Sequence, residues 1–238
     1  MPKRFYQTVV VLAATWLAVP AHAQVGGGIP DLSDFAGAIS KSVETPAKAK
    51  ATAGPFKSGL VVPSVKPGAT ARDIGRQLRV GIEKQSGPNP ALAQLEAGMP
   101  AMLTQLENEL VKIGFAKRDL GVAMAYAFLE LYETATKRTV PEKPSIIAGK
   151  TLAVAIAKHW GPSFNKLSPA AKEKMYESLL VSATLNSAFA QQFAQAGKTE
   201  DEASIRQTSA QMFETLIGVP PAQVKISDKG QITGLAAK

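Results

Sequence analysis

An all-α bundle of about six helices, with a flexible N-terminal leader and a short C-terminal strand-like tail, is the fold this sequence predicts. Three observations carry the prediction. From residue 70 onward, apolar residues recur every three or four positions, and the runs are separated by capping residues, glycines and prolines. Alanine is abundant and aromatic residues make up only 6%; small side chains of high helix propensity let helices approach closely. Two runs, Leu120–Leu129 and Ser178–Gly197, carry no charge at all. A helix that is apolar all round is buried on most sides, so these are read as the two central helices. The first lies within Asp119–Arg138, the stretch around which the chain is organised.

The N-terminal part is not bundle. Residues 1–23 have the layout of a secretory signal peptide. Lys3 and Arg4 begin it, Thr8–Val19 is its apolar core, and Ala21-His22-Ala23 offers a small-x-small cleavage site before Gln24. The apolar run is far shorter than the roughly 20 residues of a membrane span. Removing Lys3 and Arg4 leaves 25 basic residues against 19 acidic ones, a net charge of +6. Residues 24–69 are rich in glycine, proline and lysine and read as a flexible linker. Within them Asp31–Val43 has the spacing of one short helix. The helical domain is expected over 70–238.

Each helix has its own signals. Thr70, three residues before Asp73, is a capping-box variant ahead of Ile74, Leu78 and Ile82. Arg72, Arg76 and Arg79 share another face, read as solvated surface rather than a phosphate grip, because interleaved aromatics are missing. Asn89 and Pro90 start a second helix lined by Leu92, Leu95 and Met99; Pro100 kinks or divides it, and Leu103, Leu106, Leu110 and Ile113 continue to Gly114. Asp119 caps the central helix. A fourth helix is read over Ile146–Trp160, ended by Gly161-Pro162, with Gly149 admitting a close neighbour. Ser168-Pro169 opens the second central helix. Thr199 with Glu202 makes a capping box for the last one, and Gly218 with Pro220-Pro221 closes it. Val224–Ile226 alternates like a strand, and Asp228-Lys229-Gly230 is a turn.

The same residues bound the chemistry. Cysteine is absent and histidine occurs twice, so thiol nucleophiles, disulfides and thiolate metal sites are excluded. His159 is read as a helix-end residue interacting with the last carbonyls. No phosphate loop, zinc helix, nucleophile elbow or EF-hand loop occurs. No metal, cofactor or nucleic acid is expected, and no transmembrane segment in the mature chain. Two pairs of candidates remain. Glu130 and Glu133 lie on one helix edge with Tyr126 and could divide acid and base roles; the structural alternative pairs Glu133 with Lys137. Tyr126 and Asn186 would be polar contacts of a pocket between the central helices; the alternative makes Asn186 a satisfied core amide.

Three segments, IGFAKRDLGVAMAYAFLELYETATKR, LSPAAKEKMYESLLVSATLNSAFAQQF and TLIGVPPAQVKISDKGQI, resemble in order and spacing a family of secreted bacterial helical proteins of unknown function. The resemblance rests on the Asp119-Leu120 entry, on Tyr126, Phe128 and Tyr132, and on Gly218 through Gly230. It covers Ile113–Ile232 and implies export and a helical fold, with no assigned activity. The expected function is a non-enzymatic, periplasmic or secreted module that binds an envelope protein or an anionic envelope component. The alternatives are a small-molecule or lipid carrier, and a glycan hydrolase using Glu130 or Glu133.

Overall fold

The computed structural model describes residues 54–235. The signal segment, its cleavage point and the short helix at Asp31–Val43 lie outside the described residues. Six helices follow in order: α1 Ala69–Ser86, α2 Pro90–Lys112, α3 Leu120–Thr136, α4 Glu142–Lys166, α5 Pro169–Gln195 and α6 Thr199–Ile217. A 3₁₀ turn at Pro221–Gln223 leads into β1 Lys225–Ile226, which pairs antiparallel with β2 Ile232–Thr233.

The central helix is α3. It packs on α4, α5 and α6, and every residue from Leu120 to Tyr132 is buried. The second, α5, touches α3, α6, α1 and α2, and its residues Tyr176 to Ala190 are buried without a break. Phe128 and Tyr132 of α3 meet Phe213 of α6 at ring distances of 4.9 and 6.3 Å. The hairpin tail lies on this bundle, with Val224, Ile232 and Leu235 buried. Three predicted caps are present: the Asn89, Asp119 and Ser168 side chains accept from Ala91, Val122 and Ala171 N–H.

Several local expectations are corrected. Pro100 does not divide α2, which runs through it. Neither Thr70 nor Thr199 caps a helix; α1 and α6 have Gly68 and Lys198 at their N-caps and no side-chain cap from their own sequence. Glu202 is drawn instead to Arg206 and Lys137. Because Lys137 turns into the left-handed region (φ 58°) and reaches Glu202, it does not pair with Glu133. Helix α4 does not stop at Gly161-Pro162 but carries Pro162 inside it, so His159 is not at its end. Pro162 lacks an N–H, but Phe164 beyond it is buried beside Trp160 and under the Lys172 ammonium, which anchors the last turn. Gly149 does admit a neighbour: a Cβ there would stand 3.2 Å from Phe115 Cζ.

Residues 54–68, the end of the segment read as linker, form a strap seated on the α2–α3 connector. Phe56 donates its N–H to the Gly114 carbonyl and accepts from Ala116 N–H, the Leu60 carbonyl accepts from Leu120 N–H, and Val62 N–H donates to the Arg118 carbonyl. Leu60 and Val62 are buried. Glycine and proline content signals a chain without secondary structure of its own; it does not report whether other elements hold it.

Candidate functional site

Helix geometry puts Tyr126, Glu130 and Glu133 on one edge of α3, as i, i+4 and i+7 spacing requires. The Tyr126 hydroxyl lies 2.9 Å from Thr184 Oγ1 on α5, and that threonine also donates to the Leu180 carbonyl. Burial first, then the Glu130 charge, pushes the Tyr126 phenol well above its ordinary range. Glu130 is 1% exposed. Glu133 is partly exposed and accepts the Val140 N–H at 2.7 Å. Burial, then Glu130, pushes its carboxyl up to about 7, with the Val140 bond opposing. These two carboxyls sit one turn apart on a single helix. Cleavage of a glycosidic bond places them on opposite sides of the scissile linkage.

Asn186 is not brought to Tyr126. It faces α6, where its amide donates to Met212 Sδ at 3.1 Å as well as to the Ser182 carbonyl at 3.0 Å. Its Oδ1 has no partner, and neither do Ser178 Oγ and Ser182 Oγ, which lie on the same face at intervals of four. Asn186 is thus a half-satisfied core amide. A cavity beside Tyr126 lies toward α2 and α4, among Phe115, Leu129, Ile146 and Gly149, and holds about 10 Å³, the space of one water.

A second polar constellation was not singled out from the sequence. Three carboxylates hold the strap and the start of α1. Asp119 accepts from Ser58 N–H, Ser58 Oγ–H and Gly59 N–H besides its own cap bond. Glu173 accepts from Val65 and Lys66 N–H and pairs with Arg118 at 2.6 Å. Glu177 accepts from Gly68, Thr70 and Ala71 N–H at 2.7, 3.0 and 3.2 Å, and so caps α1 from α5. Arg118, held at φ 53°, also donates to the Val62 and Pro63 carbonyls, and its N–H donates to the Tyr176 hydroxyl, which donates to Glu107. Burial pushes Glu173 up, but the Lys66 N–H and the Arg118 guanidinium hold it below its ordinary value. Burial leaves Glu177 raised despite its three donors. Only the i, i+4 spacing of Glu173 and Glu177, the two acids of α5, hinted at this.

Six cations among the described residues are in salt bridges. Arg76, Arg79, Lys112, Arg118, Lys137 and Arg206 each have a carboxylate within 3.0 Å. Helix α4 differs. It packs mainly on α3, and its outward side carries Lys143, Ile147, Lys150, Val154 and Lys158 in one stripe at about 100° per residue. After Glu142 the helix has no acidic residue. None of the three lysines is in a salt bridge among the described residues. Lys150 lies over the Phe115 ring at 5.9 Å, and Ile147 is 46% exposed. No group of three or more His, Asp or Glu able to hold a metal occurs among the described residues, and no helix there is long and apolar enough to cross a membrane.

No curated protein and no solved structure matches this chain. One family profile does, and it spans residues 35–233, beginning far before Ile113, where the sequence resemblance began. By that match, over most of its length, the chain belongs to a family of unknown function, DUF6683.

Proposed function

We propose that the protein is an exported, non-enzymatic helical module that binds an anionic envelope component through the outer face of α4. The observation that carries this is the Lys143–Lys150–Lys158 stripe, three lysines along one outward face of a helix with no acid after Glu142, none of them in a salt bridge among the described residues. The signal-like residues 1–23 and the basic balance of the remaining chain support the envelope as the place of contact. The apolar side of α4 faces the bundle, so contact is electrostatic and peripheral rather than by insertion. Near an anionic surface each lysine contributes about 1 kcal/mol, so three together change binding on the order of a hundredfold.

The test is co-sedimentation of the mature chain with phosphatidylglycerol-containing vesicles, with neutral phosphatidylcholine vesicles and with isolated cell-wall sacculi, each at low and high salt. Binding to anionic material, lost in salt and lost in a Lys143→Gln, Lys150→Gln, Lys158→Gln variant, is expected. Which material pellets the protein identifies the component. Equal pelleting of variant and wild type, or none by either, refutes the reading. N-terminal sequencing of the periplasmic protein checks export; a start at Gln24 is expected.

A further inference from the structure

A cleft of about 640 Å³ opens between the α3–α4 connector and the C-terminal hairpin. One wall is Arg138, Thr139, Val140 and Pro141; the other is β1, the turn after it and β2, with Lys225, Ser227, Asp228, Gln231 and Thr233. Tyr132 forms part of its lining. We infer that this cleft is a binding site for a small hydroxylated anion, such as a sugar phosphate or a sugar acid, held between Arg138 and Lys225.

Both walls are fixed in place. Lys137 ends α3 in the left-handed region, which turns Arg138 out of the helix and toward the cleft. The Arg138 Nη1 donates to the Tyr132 hydroxyl at 3.4 Å, and Tyr132 in turn donates to the Val224 carbonyl at 3.4 Å, so the guanidinium is tied to both sides. Opposite, Gly230 lets the hairpin sit on α4: a Cβ there would come 2.6 Å from the Pro144 carbonyl and 2.8 Å from Ile147 Cβ. With φ 74° the position also excludes most side chains.

The chemistry sets the ligand class. Arg138 and Lys225 are in no salt bridge among the described residues, and they line the cleft from its two walls. A planar guanidinium and an ammonium together suit a phosphate or carboxylate. Thr139, Ser227, Gln231 and Thr233 supply hydroxyls and an amide for a polyol body. Asp228 is the one acid in the lining, and Glu133 stands behind the Val140 wall with its carboxyl engaged there. This site shares no residue with the α4 stripe, so either proposal stands or falls without the other.

The experiment is an amide-resolved NMR titration of the mature chain with glycerol 3-phosphate, glucuronate and, as the uncharged control, glycerol. Shifts at Thr139, Ser227, Asp228 and Gln231, saturating with either anion and absent with glycerol, are expected. Arg138→Gln and Lys225→Gln should each weaken binding about tenfold, while Lys158→Gln leaves it unchanged. The phosphate and carboxylate arms separate the two ligand sources. Absence of saturable shifts in these residues, shifts confined to α4, or undiminished binding by both charge variants would overturn the assignment. Gly230→Val, which displaces the hairpin, gives a second reading: it should abolish the shifts while the helical circular dichroism persists.

Discussion

Glu177 provides a quantitative test of how α1 and the strap are held. Its carboxylate accepts three backbone N–H groups, from Gly68, Thr70 and Ala71, and α1 has no side-chain cap of its own and no acidic residue in its first turn. Glu177 is 0% exposed. A hydrogen bond to a charged group contributes about 1.5–3 kcal/mol, and loss of a helix cap costs about 0.5–2 kcal/mol. The bonds are not additive, and burying the carboxylate, which leaves its pKa raised, offsets part of the gain. Glu177→Ala should therefore cost about 3–5 kcal/mol, a large share of the roughly 5–15 kcal/mol that stabilises a domain. Glu177→Gln keeps the volume and one acceptor oxygen and should cost about half as much. Urea unfolding followed by circular dichroism reads this as a midpoint lowered by about 2 M at unchanged slope. Limited trypsin digestion reads the same event locally, as cleavage after Arg72 in the first turn of α1. A loss under about 1 kcal/mol for Glu177→Ala, with Arg72 still protected, would show that water serves these donors and that the start of α1 is held by other contacts.

The remaining predictions concern polar groups of α3 and α5. Glu133 is raised from 4.5 to about 7, so the folded state binds its proton more tightly than the unfolded chain. Its stabilising contribution is full below about pH 4.5 and is lost as pH rises through about 7. Between pH 5 and pH 8 the wild type should lose about 1–3 kcal/mol that Glu133→Gln does not lose, after discount for partial exposure; parallel pH curves for the two proteins would remove the assignment. Ser182 Oγ is buried without a partner, so Ser182→Ala should be neutral or stabilise by up to about 1 kcal/mol in thermal unfolding. Thr184→Val, two residues on, should instead cost about 1–2 kcal/mol because it leaves the Tyr126 hydroxyl unpartnered.

The helices were legible where their causes are local. The Asn89, Asp119 and Ser168 caps act on donors two or three residues away, and the sequence places both partners side by side. The uncharged runs of α3 and α5 announced burial on all sides, and both helices are central. Thr70 failed as a cap because the donors at the start of α1 are served by a carboxylate more than a hundred residues away. No window of sequence contains that partner. The end of α4 was misread for a related reason: Gly161-Pro162 is a sound local stop, overridden by the tertiary anchoring of Phe164. At the candidate site, the Tyr126–Glu130–Glu133 edge follows from helical spacing alone, but Thr184 and Val140 as its partners do not. The α4 stripe was present in the sequence, as lysines seven and eight apart with no acid after Glu142, and gains meaning once the opposite side of that helix is known to face the bundle.

Those misreadings share a consequence for charge. Asp119, Glu130, Glu173, Glu177 and Glu202 are all buried. Three of them answer backbone N–H groups of the strap and of α1, and Glu173 and Glu202 also pair with partly buried arginines. A carboxylate engaged inside the bundle does not neutralise a lysine on the far side of α4, where solvent and salt screen it over about 8–10 Å. The surface is therefore more basic than the formal charge of +6 left after removal of residues 1–23 suggests. Among the described cations that form no salt bridge are the three lysines on the outer face of α4, and Arg138 and Lys225. The acids that fasten the strap and the cations that remain for an anionic partner are thus two results of one distribution of charge. Replacing a partly exposed neutral residue of α4 by glutamate, as in Thr151→Glu, should weaken envelope binding without loosening the strap, because the two sets of carboxylates act on different partners.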